Sequence, residues 1–393
     1  MAERKARKSA ADDAGLEAPL SEPLGHGAVL AGLCAAVRAS RLPHALEFVG
    51  PAGTGKFLSA RWFAAALLCD RGPARGGTLD APCLECGACR RVQAGSHGDL
   101  FVVDVRQEVE KERSEQLRIG RFIPRDQARS TYWAGPTVED FLNLRAASGL
   151  WRIVIVREAE RINIEAQNAL LKSLEEPAPN VLWILETSAP HELLPTIHSR
   201  AIAVRFEPLE LGLASRILAE HGANPSDARE LARWADGAPG VGLELASQAA
   251  LELRAVLAAA LAGEAPSSTA SAALWAVEGE FAGKTERAEQ RSRARRVLDT
   301  ALELVRDRER LRAGANADSL PHGIYAEVLS QSSALGPLRR SRETLDVLLR
   351  CRADLESNVD PQNVVERAVL ALAPRAGEGS TRAAGAAASG GRR

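Results

Sequence analysis

The stretch Gly50-Pro51-Ala52-Gly53-Thr54-Gly55-Lys56-Phe57 decides the fold of this chain. A short apolar run, residues 45–49, precedes it, and a helix-like run, residues 58–68, follows it. A G-x-x-x-x-G-K loop between a strand and a helix is typical of phosphate binding, because its backbone N–H groups and its lysine surround phosphate oxygens. The candidate phosphate-binding residues are therefore Gly50, Gly53, Gly55 and Lys56.

The loop departs from this motif at its last position. The motif normally ends in Ser or Thr, whose hydroxyl holds Mg²⁺, whereas this chain has Phe57. A second departure follows the strongest predicted strand, residues 151–156, where Arg157 stands in place of a metal-supporting acid. A guanidinium has donors and no acceptor, so it cannot bind a cation. Glu158 is the remaining acid of this degenerate site. No magnesium site is therefore expected. Whether the loop binds a nucleotide is left open.

Apolar runs alternate with helical patterns over the first half of the chain. The predicted strands are residues 45–49, 99–105, 151–156, 181–185 and 201–206. Helical patterns lie between several of them, which predicts an α/β domain with a parallel sheet flanked by helices. The densely charged run 106–129 has no apolar stripe and is expected to be a surface insertion.

After residue 209 the sequence shows helical patterns alone, which divides the chain into predicted domains. Amphipathic helices without a chemical motif usually pack as a bundle. The predicted organisation is a disordered N-terminus at 1–20, a P-loop domain at 21–207 and a small helical lid at 208–248. A helical collar at 249–374 and a disordered tail at 375–393 complete it.

The composition is that of an ordinary soluble protein, with 46% hydrophobic and 26% charged residues. The formal net charge of −1 provides no global attraction to nucleic acid or membrane. No run approaches the roughly 20 apolar residues that span a bilayer. The first residues lack the apolar core of a secretory signal, so a cytoplasmic location is expected, with no membrane partner.

Four of the six cysteines cluster at Cys69, Cys83, Cys86 and Cys89. In a reducing compartment, a C-x-x-C-x-x-C spacing with a fourth cysteine nearby points to a metal rather than to disulfides. Four thiolates would hold Zn²⁺ tetrahedrally with no open position, so the predicted zinc module at 69–89 is structural. The alternatives are four unrelated buried cysteines, or His97 as a ligand in place of Cys69.

The predicted helix 163–176 carries the most specific signature in the chain, Ala166-Gln167-Asn168-Ala169-Leu170-Leu171-Lys172-Ser173-Leu174-Glu175-Glu176-Pro177. Its apolar side chains are expected to face inward; they are Ile164, Leu170, Leu171 and Leu174. This stretch, the strand after it, the run 194–200, the cysteine module and Asn358-Val359-Asp360-Pro361 resemble the bacterial clamp-loader subunits of the AAA+ superfamily. Within that family, the resemblance is greatest to the delta-prime type of DNA polymerase III.

The resemblance implies a non-hydrolysing stator subunit with no intrinsic ATPase activity. Such a subunit sits in a five-membered ring with gamma/tau and delta subunits, which loads the sliding clamp onto primed DNA. It implies that Ser199 and Arg200 form the arginine-finger motif, which acts in trans on the ATP site of a gamma/tau neighbour. The lid run 237–241 has no arginine, where active members of the family have one.

Three other interpretations remain open at the level of sequence. Lys56, Gly55 and Glu158 are the evidence for an autonomous, gamma/tau-like ATPase, and Phe57 and Arg157 count against it. The cysteine module is alternatively a DNA-binding zinc ribbon, although no interleaved aromatic residue is present to stack on bases. Arg200 is alternatively an ordinary surface arginine.

Overall fold

The computed structural model describes residues 20–77, 80–103, 138–143, 146, 151–283, 285–331, 338–357 and 359–373. The chain divides into two compact units. The first comprises Met1–Ala214 with Gly237–Gly240, and the second comprises Ser215–Asp236 with Val241–Arg393. The charged insertion, the C-terminal tail and nearly all of the predicted disordered N-terminus lie outside the described residues.

The first unit alternates helices and strands, as the sequence predicts. Its strands are β1 (Ala45–Val49), β2 (Leu100–Val103), β3 (Arg152–Val156), β4 (Val181–Thr187) and β5 (Ile202–Arg205). Its helices are α1 (Gly27–Arg38), α2 (Lys56–Leu68), α3 (Gly87–Gln93), α4 (Val138–Asn143), α5 (Ile164–Glu175) and α6 (Pro195–His198). A further helix, α7 (Leu211–Glu220), begins in this unit and continues into the second.

The five strands form one parallel sheet in the order β2-β3-β4-β1-β5. Side chains alternate between the two faces, and each face has its own apolar core. Ile153 and Ile155 face the core that contains α1 and α2, whereas Val154 and Val156 face the core that contains α4 and α5. Because both faces are covered at β3, all five of its residues are buried, and after Arg152 the strand is a continuous apolar run.

Helix α5 begins where its sequence predicts. Asn163 caps it, because its side-chain oxygen accepts from the Ala166 N–H at 2.9 Å. Leu170 and Leu174 are buried as expected, but the prediction for Ile164 is wrong, since this side chain is 63% exposed. Ile164 is the first residue of the helix, on the turn that lies outside the sheet-facing stripe.

The described residues of the second unit form helices joined by loops, with no strand among them. Its helices are α8 (Pro225–Trp234), α9 (Pro239–Ser247, which begins in the first unit), α10 (Ala250–Ala262), α11 (Ser267–Ala276), α12 (Glu286–Arg312), α13 (Ala326–Gln331), α14 (Leu338–Glu356) and α15 (Pro361–Leu372). Buried side chains of α12 occupy the centre of its core, including Leu298, Ala301 and Leu304. The proposed boundary between lid and collar at residue 248 stays a prediction.

Polar contacts tie the helix predicted for the lid to those predicted for the collar. The indole N–H of Trp234 on α8 donates to Glu303 on α12 at 2.6 Å. The Arg254 guanidinium on α10 lies 4.8 Å from the Trp234 ring centroid and pairs with Glu230 on α8. These contacts explain why α8 belongs to the same compact unit as α10 and α12.

No single helix in the described ranges is both long and apolar enough to cross a bilayer. One pair, Pro239–Ser247 and Ala250–Ala262, passes the length and composition criteria together but is bent by 71°.

Replacing Leu170 and Ile164 separately by alanine tests the assignment of the buried face of α5. Leu170→Ala removes a fully buried side chain and should lower the free energy of unfolding by about 2–5 kcal/mol. Ile164→Ala alters an exposed side chain and should change it by less than about 0.5 kcal/mol. Denaturant titration of both variants measures the difference, and equal losses would contradict the assignment.

Candidate functional site

The glycine loop lies between β1 and α2, at the edge of the sheet where the parallel strands end. Gly53 and Gly55 adopt φ values of 73° and 92°, a left-handed conformation that favours glycine. At Gly50, a Cβ atom would lie 2.0 Å from the Phe206 carbonyl oxygen. The loop therefore needs its glycines, and the sequence prediction of a P-loop-like turn is met in its backbone.

The ammonium group of Lys56 is engaged inside this loop. Its Nζ donates to the carbonyl oxygens of Gly50 at 2.8 Å and Pro51 at 2.7 Å, and the side chain is buried. Burial lowers the pKa of Lys56, and the nearby carboxylates of Glu186, Glu160 and Glu158 oppose that shift. The lysine thus stabilises the loop in the conformation described here.

Two contacts that the sequence did not reveal hold the loop from outside. The Nε2 atom of His26 lies 2.7 Å from the Thr54 carbonyl oxygen, and a carbonyl accepts, so Nε2 carries the proton. Burial lowers the pKa of His26, and this hydrogen bond opposes the shift. The Gly240 N–H donates to the Gly53 carbonyl at 2.9 Å, where a Cβ on Gly240 would lie 2.8 Å from Gly53 Cα.

The two residues predicted to replace magnesium-site groups, Phe57 and Arg157, contact each other. The Arg157 guanidinium carbon lies 3.9 Å from the centroid of the Phe57 ring, a cation–π distance. Both side chains are buried, with Arg157 5% exposed. Arg157 Nε also lies 4.0 Å from Glu186 Oε2, so a fixed cation and an aromatic ring occupy this part of the strand edge.

The acids that follow β3 have separate partners. Glu158 adopts a left-handed φ of 46°, and its Oε2 accepts from Arg161 at 2.8 Å. Glu160 Oε1 accepts from the Ser188 hydroxyl at 2.6 Å and from its backbone N–H at 3.2 Å. Sequence reasoning selected Glu158 and missed Glu160, which is the acid that joins the ends of β3 and β4.

Arg200 lies at the opposite edge of the sheet from the glycine loop. It precedes β5, whose first residue Ile202 pairs with Leu46, four residues before Gly50. At roughly 3.3 Å per residue, this separates the two sites by about 13 Å along β1. The structure therefore does not bring Arg200 to the loop of its own chain.

The Arg200 side chain is 32% exposed and is held by local acceptors. It donates to the Thr196 carbonyl at 2.9 Å, to the Ser199 hydroxyl at 3.1 Å and to Glu175 Oε1 at 2.8 Å. A partly exposed ion pair of this kind contributes about 0–1 kcal/mol, so Arg200 can exchange Glu175 for another anion at little cost.

The four clustered cysteines come together in space. Their sulfur atoms, on Cys69, Cys83, Cys86 and Cys89, all lie within 4.8 Å of one another. Four thiolates around one Zn²⁺ have sulfurs about 3.8 Å apart, so this donor set fits a tetrahedral ion after a small contraction. Backbone N–H groups of Cys83, Cys86 and Cys89 point at the sulfurs.

The cysteine cluster does not include His97. The Nδ1 atom of His97 accepts from the Asp99 N–H at 3.1 Å, and the group among the described residues that could hold a metal ion comprises the four cysteines. Burial raises the pKa of Cys83, but N–H donors of Cys86 and Glu85 outweigh it and lower the value to about 6. The cluster could hold a metal ion.

Comparisons with known proteins show which proteins this chain resembles. Residues 25–210 match the protein family described as "DNA polymerase III, delta subunit". The delta' subunit of Pseudomonas aeruginosa is 38% identical over 159 residues, which cover 40% of this chain and 42% of that protein. The delta' subunit of Bacillus subtilis is 31% identical over 196 residues, covering 50% of this chain and 52% of the relative.

The resemblance to delta' subunits that the sequence predicts is therefore confirmed. The matched segments span about half the length of these relatives. A solved gamma subunit-related protein from Thermotoga maritima is 16% identical with a TM-score of 0.43, covering 87% of this chain and 98% of its own. The matched segment contains the glycine loop, the cysteine cluster, Arg157 and Arg200, whereas the second unit lies beyond it.

Nucleotide binding with and without Mg²⁺ tests the Arg157–Phe57 contact. The natural chain should bind nucleotide equally, or not at all, under both conditions, because a guanidinium stands where an acid would support the metal. A double variant, Phe57→Thr with Arg157→Asp, restores two metal-binding oxygens. Its affinity should rise with Mg²⁺, as isothermal titration would measure.

The single variants Phe57→Thr and Arg157→Asp are the controls for that titration. Each leaves one of the two obstructing side chains, so neither should respond to the metal. A natural chain that binds nucleotide more tightly with Mg²⁺ would contradict the expectation.

Proposed function

We propose that this chain is the non-hydrolysing stator subunit of a DNA polymerase III clamp loader. In this role it supplies Arg200 to the ATP site of the adjacent subunit and itself needs no catalytic metal. The observation that carries the proposal is the buried contact between Arg157 and Phe57 at 3.9 Å, which occupies the place of a magnesium site.

The charges at the carboxyl ends of the strands favour a stator role over hydrolysis of ATP by this chain itself. Phosphoryl transfer in P-loop proteins depends on Mg²⁺ to neutralise charge between the outer phosphates. Here Arg157 supplies a permanent positive charge beside Glu186, while Lys56 donates to loop carbonyls. A nucleotide would have to displace those lysine contacts, so the rival autonomous ATPase is not favoured, and binding without hydrolysis is left open.

The position of Arg200 supports action on a neighbour. The side chain lies at the edge of the sheet opposite the loop, is partly exposed and, among the described residues, is paired with groups that it can exchange. An arginine finger acts by placing fixed positive charge against a transferred phosphoryl group. Ser199 orients it, because the Ser199 hydroxyl accepts from Arg200 and donates to the Thr196 carbonyl.

The proposed partners follow from the relatives, which are delta', tau and gamma/tau subunits of DNA polymerase III. We place this chain in a ring with gamma/tau and delta subunits, acting on the sliding clamp and primer–template DNA in the cytoplasm. The second unit, with the predicted lid and collar, would hold the ring together.

We also propose that the cysteine cluster holds one structural Zn²⁺. Its residues fit because the four sulfurs already converge and leave no open coordination position. The ion would fix the excursion after α2 against α1, where Arg38 pairs with Asp80 at 2.6 Å. The competing hypothesis is that the cysteine cluster binds DNA.

Replacing Arg200 by alanine tests the finger. In a clamp loader reconstituted from the cognate subunits, the variant should assemble normally. ATP turnover at the site it serves should fall by up to about 10³-fold, because the transition state loses a fixed cation. Arg200→Lys should recover only part of the rate, since an ammonium lacks the guanidinium fork.

A matched control is Arg216→Ala, which removes another exposed arginine from an ion pair, with Glu220 at 3.9 Å. This variant should leave ATP turnover unchanged. Unaltered turnover with Arg200→Ala in an intact complex would rule out the proposed role.

Removal of the metal tests the cysteine cluster. The purified chain should contain about one zinc per molecule by mass spectrometry, and Cys89→Ser should lose it, because one ligand of four is gone. The free energy of unfolding should fall with the metal. Cys351→Ser, which alters a buried cysteine outside the cluster, is the control and should keep its zinc. If Cys89→Ser instead loses only its affinity for DNA, that result would favour the hypothesis of a DNA-binding zinc ribbon.

A further inference from the structure

A buried carboxylate lies in the middle of the sheet, on the strand that leads into the glycine loop. Glu47 on β1 is 2% exposed. It shares its face of the strand with Ala45, which packs in the core beside α5 and α6. A carboxylate in such a place is costly unless it is paired, which calls for an explanation.

Glu47 pairs with His198, the last residue of α6. His198 Nδ1 lies 2.8 Å from Glu47 Oε2, and His198 Nε2 lies 2.8 Å from the Pro190 carbonyl oxygen. The second oxygen, Glu47 Oε1, is buried and has no hydrogen-bond partner among the described residues. One imidazole thus bridges β1 and the turn after β4.

Counting protons shows what this geometry requires. The Pro190 carbonyl only accepts, so His198 Nε2 must carry a hydrogen. The contact with Glu47 then needs a second hydrogen, either on Nδ1 or on the carboxyl oxygen. A neutral histidine facing an ionised Glu47 would leave one of the two contacts without a hydrogen. The pair therefore holds one shared proton and has no net charge.

The segment fixed by this pair is the one that presents Arg200. Ser199 and Arg200 directly follow His198, and the Arg200 N–H donates to the Ile197 carbonyl at 3.0 Å. We propose that Glu47 and His198 are positioning residues, whose shared proton sets the placement of the arginine finger. This inference rests on the proposed function of Arg200, and neither residue touches the phosphates.

Other charged groups around the pair have their own partners or face away. On the neighbouring strands, the residues in register with Glu47 are Leu185 and Ala203, which do not titrate. In the turn, His191 pairs with Glu192 at the surface. On α5 and beyond α6, Glu175 pairs with Arg200. His44, which precedes β1, has its Nε2 3.1 Å from the Leu174 carbonyl.

The effect of substituting Glu47 follows from the proton count. The two contacts are complete while the shared proton is present. A glutamine at position 47 would donate an amide N–H to Nδ1 of a neutral histidine. Glu47→Gln should therefore keep both contacts, whereas Glu47→Leu should lose the contact made by Nδ1.

Two measurements test the proposal. In the isolated full chain, ¹⁵N spectra of His198 should show Nε2 protonated in the natural chain and in Glu47→Gln, and Nδ1 should lose its hydrogen bond in Glu47→Leu. In the reconstituted complex, Glu47→Leu should slow ATP turnover by about 10-fold or more through misplacement of Arg200. Glu47→Gln should restore it, and Glu192→Gln is the exposed control.

The outcomes separate this inference from the function on which it rests. A His198 Nε2 atom that carries no hydrogen in the natural chain would overturn the shared proton. Full turnover with Glu47→Leu, in a complex that Arg200→Ala slows, would overturn the positioning role. If Arg200→Ala leaves the ATP turnover of the complex unchanged, the proposed arginine finger is refuted. The ¹⁵N spectra would still test the shared proton of Glu47 and His198.

Discussion

The parallel alignment of the five described strands is the constraint on which the first unit depends. It gathers every strand's carboxyl end at one edge, so the glycine loop, Arg157 and Ser188 become neighbours although they are far apart in sequence. The same alignment sends Arg200 to the other edge. One sheet thus separates two chemistries, a phosphate-type loop on one side and an exchangeable cation on the other.

Local patterns predicted most of this framework. The strands, the cap at Asn163 and the left-handed glycines each depend on residues close in the chain, and the structure contains them. Helix α9 had no clear signal, because Pro239 and Gly240 are typical of a turn until the backbone packs against the loop. The helical spacing of apolar residues predicted that Ile164 faces inward, but spacing does not show which way the first turn of a helix faces.

Contacts between distant residues could not be predicted in the same way. Glu47 and His198 are 151 positions apart, and Glu160 and Ser188 are 28 apart. In the sequence, each of these residues looks like an ordinary polar residue. The register of the strands brings the partners together. His26 is a further case, since a lone histidine before a helix gives no sign that it bonds to Thr54.

The stacking of Arg157 on Phe57 also constrains the history open to this sequence. An oxygen ligand introduced at position 57 would still face a guanidinium, and an acid introduced at 157 would lie against an aromatic ring in a buried site. Each single step back toward a metal site would lose a favourable contact before the second could gain one. A metal site at these positions would therefore require both substitutions together, because either one alone is unfavourable.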